Sequence, residues 1–414
     1  MPPTLSPSRT VPRDFMPLVA TIMALSAVAI ALPLPAFPYI RAAYGLPPDS
    51  PQISQSITAF ILGMSLPQVL YGPLSDSYGR RPILFAGLVI YVFGSIGSAL
   101  APDLPTLLFF RFIWGVGAAA GRVIVVALVR DCYEGEQMSR FMSMVFATFV
   151  LVPVFAPSLG SLLINLGSWD YVYWFCTIFS VGVGVWCFLR LPETLDPNHR
   201  LTFQVGPIGR AVVHVCTTRA TALNTLAATM LMTSYTSYLA SSELIVSEVF
   251  NRADQFPVIY GAVAAVTGIG SIINGRFVVR VGVDRVLRGA MSCYLICAAL
   301  VSVIALLTDG RPSFWAWYPF LALMIGCNML IFPNLRVVAL NPMGRVAATA
   351  SAITGAFTTG MSAALAMIID RSTTSTVLPL SVAFCVCGLA AMLLAQQGGS
   401  LGAMALKHDK LEAD

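Results

Sequence analysis

Lysine is almost absent. Of the 24 basic residues in this 414-residue chain only Lys407 and Lys410 are lysine, and both stand near the C-terminus. Charge of either sign is scarce, at 10% of residues against about 25% in an ordinary soluble domain. So few charges cannot cover a water-facing surface of this size, which argues against a soluble enzyme, a nucleic-acid binder and a disordered chain. Histidine is nearly missing too: His199, His214 and His408 all lie outside good apolar runs. The nine cysteines fall mostly within apolar runs, where they read as small packing residues, and form no metal-like array. No metal site is read. No G-x-x-x-x-G-K-[ST] phosphate cradle occurs, so neither a nucleotide nor any other cofactor is expected. A Ser/His/Asp set or a pair of catalytic carboxylates is equally missing, and an enzyme is not expected.

What remains is apolar. Hydrophobic residues make up 57% of the chain and mean hydropathy is +0.80. Twelve spans of about 20 residues would use nearly all of them. Apolar runs fall at about 16–40, 53–74, 82–101, 105–129, 139–165 and 170–190, then at about 220–246, 256–275, 286–307, 314–338, 346–369 and 376–396. The first is too long for a signal-peptide core and lacks a clear A-x-A site, so it stays as a span. Lipid satisfies no unpaired backbone group, which makes each run a helix. The expectation is an all-α membrane protein of twelve helices. It divides into an N-terminal tail (1–15), a six-helix half (16–190), a linker (191–219), a second six-helix half (220–396) and a C-terminal tail (397–414). With both termini in the cytoplasm, eighteen of the 24 basic residues fall on that side. Only Arg41, Arg252, Arg311 and Arg371 fall outside, and Arg111 and Arg122 lie within span four. That bias sets the orientation of a multi-pass protein, whose expected location is the cell inner (plasma) membrane.

The halves echo each other. Gly72-Pro-Leu-Ser-Asp76-Ser-Tyr-Gly79 follows span two, and Gly275-Arg-Phe-Val-Val-Arg-Val-Gly282 follows span eight. Such repetition marks carriers built as two pseudo-symmetric halves around a midplane site. The first stretch, Gly72, Leu74, Ser75, Asp76, Gly79, Arg80 and Arg81, resembles the G-x-L-[AS]-D-x-x-G-R-[RK] loop of the major facilitator superfamily. Arg111-Phe-Ile-Trp-Gly115 resembles its R-x-x-x-G element, and Ala156-Pro157-Ser-Leu-Gly160 part of its antiporter pattern. Leu34–Ile40, Leu191-Pro-Glu-Thr-Leu195 and Ala347–Ala352 resemble the Bcr/CflA-type drug exporters. The resemblance implies the twelve-helix major facilitator fold. It also implies alternating-access export of small, largely apolar compounds in exchange for protons. Relatives carry an acid late in span one, where this chain has Ala29-Ile30-Ala31, and an arginine late in span four, where Val126 stands.

Charges inside spans cost about 2.5–3.5 kcal/mol, so they face a cavity or a partner. Arg111 and Arg122, eleven residues apart, share a helix face. They read as a cationic cavity lining or as arginines bonded to neighbouring carbonyls. Glu243, late in span seven, is the candidate coupling acid, and an exposed loop carboxylate is the other reading. Asp370 ends span eleven. Arg130 and Asp131 are gate candidates at the end of span four. Thr233–Tyr238 is unusually polar for lipid; Tyr235 and Tyr238, with Asn224, Asn274 and Asn328, either line the substrate cavity or pack helices. The expected partners are a small-molecule substrate, protons and the lipid bilayer, with no nucleic acid. An exporter of a metabolite or siderophore-like compound, a proton-independent uniporter, and a solute sensor without transport are the alternative readings.

Overall fold

A computed structural model of the chain describes residues 12, 14–133, 135–196, 198, 200, 202–373 and 376–399. The expected tails fall almost wholly outside these, as do Lys407, Lys410, His199 and His408. The described residues are helical throughout, apart from short connections. Ten helical segments are long and apolar enough to cross a bilayer. They are α1 (Phe15–Ala43), α2 (Pro51–Tyr78), α3 (Arg80–Ala99), α4 (Leu104–Cys132), α6 (Tyr171–Arg190), α8 (Phe256–Val281), α9 (Val283–Leu307), α10 (Phe314–Leu340), α11 (Ala347–Ser372) and α12 (Leu378–Gln397). With α5 (Gly135–Asn165) and α7 (Arg219–Leu244) the described helices of this length number twelve.

Local chemistry sets the ends and breaks. Pro33 and Pro35 lack an N–H, and α1 accordingly passes through a 3₁₀ turn at Leu34–Ala36. The Asp103 carboxylate caps α4 by accepting from the Thr106 N–H at 2.9 Å, and that bond holds its carboxyl below the usual range. The Gly79 and Gly282 φ angles of +102° and +88° end α2 and α8 and start α3 and α9. A left-handed φ of that kind suits glycine alone.

Packing separates lipid-facing helices from interior ones. Large apolar side chains stand exposed along α3 (Val89, Phe93), α6 (Ile178, Phe188), α9 (Ile296, Val303) and α12 (Val386, Leu393). In a membrane these are the surfaces that meet acyl chains. Helix α7 is different: its residues from Thr233 to Leu244 are almost all buried among α10, α11 and α12. It touches little lipid, which is why it carries Thr, Ser and Asn without cost. Within the first half α3 packs on α4 and α6; within the second α9 packs on α10 and α12. The halves meet through α5 against α8 and α2 against α11, pairs that a pseudo-two-fold axis exchanges. A methyl group at Gly261 would come 2.8 Å from the Val154 carbonyl oxygen, so glycine is what lets α8 reach α5. Between the halves the linker folds into a helix at Val205–Thr217, whose Ala211 and Val215 pack with Met343, Ala350 and Ile353 and against Val69 of α2.

Candidate functional site

The turn between α2 and α3 is a latch within the first half. Asp76 lies on the last turn of α2, and Arg80 opens α3 immediately after Gly79. Arg80 Nη1 donates to Asp76 Oδ1 at 2.5 Å and to Ser75 Oγ at 2.8 Å, while its Nε donates to Asp131 Oδ2 at 2.9 Å. Asp131 also accepts from Thr194 Oγ1 at 3.1 Å. The two Glu193 carboxylate oxygens accept the backbone N–H groups of Arg80 and Arg81 at 2.9 and 3.0 Å, where an anion meets the positive end of α3. Arg81 Nη2 donates to the Phe188 carbonyl at 2.7 Å, its guanidinium over the rings of Phe85 and Phe188. The Gly72 carbonyl accepts from Ser75 Oγ at 2.9 Å, which joins Gly72 to the network through Ser75. The Asp76 motif and Leu191–Leu195 are therefore one network, a link that spacing alone did not reveal. Asp131 serves this network and does not bridge the halves; Arg130 is exposed, with no ion pair among the described residues. Of the two gate candidates at the end of span four, Asp131 makes its salt bridge with Arg80.

Arg111 is fully buried. Its Nη1 donates to the Ala29 carbonyl at 2.8 Å, and its guanidinium packs over Trp114 and Tyr173. The carbonyl is the informative part. Residue 33, four positions after Ala29, is proline and offers no N–H, so the Ala29 oxygen has lost its helical partner. Arg111 replaces that N–H. Of the two readings open for Arg111, this contact is that of an arginine bonded to a neighbouring carbonyl. Arg122, on the same helix, is half-buried, has no ion pair among the described residues, and lies within electrostatic reach of Arg336 on α10. Arg336 Nη2 in turn donates to Ser351 Oγ at 2.6 Å. The two arginines of α4 therefore act apart: one mends α1, and the other faces the opposite half.

At the opposite end of the molecule a second charged contact joins the halves. Arg41 Nη2 donates to Glu243 Oε1 at 3.0 Å and Nη1 lies 2.9 Å from Oε2, a two-point pair 1% exposed on each side. It ties α1 to α7. Glu243 is thus no exposed loop carboxylate. Its partner, a residue 202 positions away, had been read only as one of four outer arginines.

The polar stretch of α7 faces its neighbours. Ser237 Oγ and Ser241 Oγ donate to Asp370 Oδ1 of α11 at 2.5 and 3.3 Å. Ser234 Oγ shares a hydrogen bond of 2.9 Å with the Tyr294 hydroxyl of α9. Tyr235 is half-buried, edge-on to Phe332; Tyr238 is buried and stacked on Tyr260. Asn224 donates to the carbonyls of Ala220 and Gly398, joining the ends of α7 and α12, and Asn334 donates to Asn274 Oδ1 at 2.8 Å between α10 and α8. Asn224 and Asn274 join helices here, one of the two roles open to them. Asn328 is buried with both amide atoms unpartnered among the described residues, as a group awaiting a ligand or water would be. A cavity of about 470 Å³ opens at the Arg41 end, lined by Pro51, Gln52, Gln55, Leu104 and Arg371.

Two interlocked sets of membrane-crossing helices, latched by charge at one end within a half and at the other between halves, are the build of a membrane carrier. The chain belongs to the Major Facilitator Superfamily, whose sequence profile matches residues 19–367. It is 24% identical over 361 residues to a bicyclomycin resistance protein homolog of Haemophilus influenzae, covering 87% of this chain and 89% of that one. It is 25% identical over 350 residues to the multidrug resistance protein MdtL of Vibrio parahaemolyticus, covering 81% and 83%. In fold it is similar to the xylose transporter XylE of E. coli, with a TM-score of 0.70 at 12% identity over 92% of this chain and 98% of that one.

Proposed function

We propose that the protein is a secondary active exporter of small, largely apolar, drug-like compounds, working by alternating access in exchange for protons. It lies in the inner (plasma) membrane with the Asp76 turn and both termini on the cytoplasmic side. The observation that carries this reading is the buried Arg41–Glu243 pair. It closes the outer end by joining α1 to α7, so opening that end must separate two charges held out of water. The relatives named for bicyclomycin and multidrug resistance supply the substrate class. Arg122, Tyr235, Tyr238 and Asn328 are the proposed substrate contacts, and Glu243 works as the latch of the outer end. The basic residues that crowd the Asp76 side support the orientation.

The test is a resistance panel in an efflux-deficient bacterium with and without an uncoupler, followed by purified protein in proteoliposomes. Raised tolerance that the uncoupler abolishes supports proton-driven export. Ala31, where relatives carry an acid, favours one alternative, a uniporter: transport that persists without a pH gradient would establish it and remove the proton from the proposal. Binding without transport of any panel compound would leave a sensor.

A further inference from the structure

We propose that Asp370 is the proton-binding residue of the transport cycle, taking a proton from the outer side before that end closes; the assignment rests on the exporter reading above. Asp370 is fully buried on α11 at the outer end, where α11 meets both α7 and the start of α2. Its Oδ1 accepts from Ser237 and Ser241, and Oδ2 is buried with no hydrogen-bond partner among the described residues. No ion pair reaches it among the described residues. Arg371, the next residue, lines the outer cavity instead, and Arg41 is held by Glu243. The stretches that face this level are Pro51–Ser65 of α2, Phe314–Ile325 of α10 and Leu378–Phe384 of α12. They contain no charged residue and one titratable group, Tyr318; α7 itself adds Tyr238 and Glu243, the latter held by Arg41.

A carboxylate with two hydroxyl donors and no counter-charge is costly inside a membrane protein. The same group bearing a proton on Oδ2 carries no such cost. Closure of the outer end, which puts Asp370 in this place, therefore requires one proton transferred from outer water to Oδ2, forming the O–H and leaving the two serine bonds on Oδ1 intact. Proton binding and closure become a single step, which is what coupling demands. The acid missing near Ala31 is thereby replaced from the other half.

A row of buried hydroxyls leads away from this site along α7. Thr225, Thr229, Thr233, Ser237 and Ser241 recur at every fourth residue of α7, all buried. Thr229 meets Thr358 of α11 at 3.4 Å, so this hydroxyl row runs along the same interface that ends on Asp370. It spans about 24 Å of helix, most of the way across a bilayer core.

The experiment uses the full-length protein in liposomes, with two independent readouts. In the first, Gln55→Cys at the outer cavity is labelled by a membrane-impermeant maleimide from about pH 5 to about pH 9. Labelling is expected to fall as pH falls in the otherwise native chain. With Asp370→Asn added, it is expected to stay low at every pH, and with Asp370→Glu to keep its pH dependence. In the second, efflux of ethidium driven by a pH gradient is expected to drop at least about tenfold in Asp370→Asn while exchange of ethidium for ethidium continues. Labelling that follows pH unchanged in Asp370→Asn overturns the assignment, as does undiminished gradient-driven efflux in that variant. If the native protein moves no ethidium under any gradient, the exporter reading fails for this compound and the labelling readout still decides Asp370.

Discussion

The turn after α2 and the turn after α8 have the same backbone and opposite chemistry. Gly79 and Gly282 adopt φ, ψ of 102°, 155° and 88°, 154°, each ending one helix and starting the next. Around Gly79, Asp76, Arg80, Asp131 and Glu193 close a network buried enough to leave Arg80 2% exposed. Around Gly282, Val279 is 86% exposed and Arg280 stands in the open. A duplicated scaffold has kept its shape at both places and its charge at one. The first half is therefore locked at the Gly79 corner, and of its buried arginines Arg80 serves that corner, Arg111 mends α1 and Arg41 pairs with Glu243 of the other half. The second half holds its polar groups inside, along α7, at the interface with α11. Rigidity sits in one half and the titratable interior in the other.

The largest effect should come from cutting the locked corner. Arg80→Ala leaves Asp76 and Asp131 facing each other without a cation and is expected to cost about 3–5 kcal/mol, against less than about 0.5 kcal/mol for Arg280→Ala at the matching turn. Thermal unfolding in detergent reads both, and equal losses would erase the contrast between the corners. Next is the outer latch. Glu243→Gln leaves Arg41 charged and buried, and should shift the molecule towards an open outer end, raising maleimide labelling at Gln55→Cys. Arg41→Met combined with Glu243→Gln removes the stranded charge and should restore much of the closed population. A double variant as open as the single one would show that the pair does not hold the halves.

A smaller effect separates Arg111 from any role in transport. Arg111→Met strips the Ala29 oxygen of its donor, at about 1–3 kcal/mol. Pro33→Ala gives that oxygen a helical N–H in return, so Arg111→Met should cost less in a Pro33→Ala background. Such coupling in a thermodynamic cycle identifies the repair. Additive losses would mean that Arg111 acts elsewhere.

These cases show where sequence reading stops. Apolar runs, breaker positions and the Gly79/Gly282 echo carry the twelve helices and their pairing into halves, because lipid leaves the backbone one option. The Arg111–Pro33 relation was also legible in principle: a proline inside a span orphans the carbonyl four residues back, and a lone buried arginine is a ready donor. Arg41–Glu243 and Ser237–Asp370 were not legible. Each joins residues more than a hundred positions apart, and which faces meet is set by how whole helices pack. The polarity of Thr233–Tyr238 signalled an interior helix but not its partner, so attention fell on Glu243 while the uncompensated acid was Asp370.

The smallest predicted difference tests the twin turns directly. Both Gly79→Ala and Gly282→Ala place a methyl group at a positive φ, which costs a residue with a Cβ about 1–2 kcal/mol wherever it occurs. At Gly282 nothing lies within 4 Å of the added carbon, so backbone strain is the whole penalty. At Gly79 the same carbon would sit 2.6 Å from Glu193 Oε2, the oxygen that accepts the Arg81 N–H. Relief requires Glu193 to withdraw from the first turn of α3, and the anion at that helix end is worth roughly 0.3–1 kcal/mol more. Gly79→Ala should therefore melt below Gly282→Ala by that margin, and Glu193→Ala should bring the two together, since it removes both the clash and the bond. If the difference persists without Glu193, the backbone strain itself differs, and the two turns are less alike than their angles say.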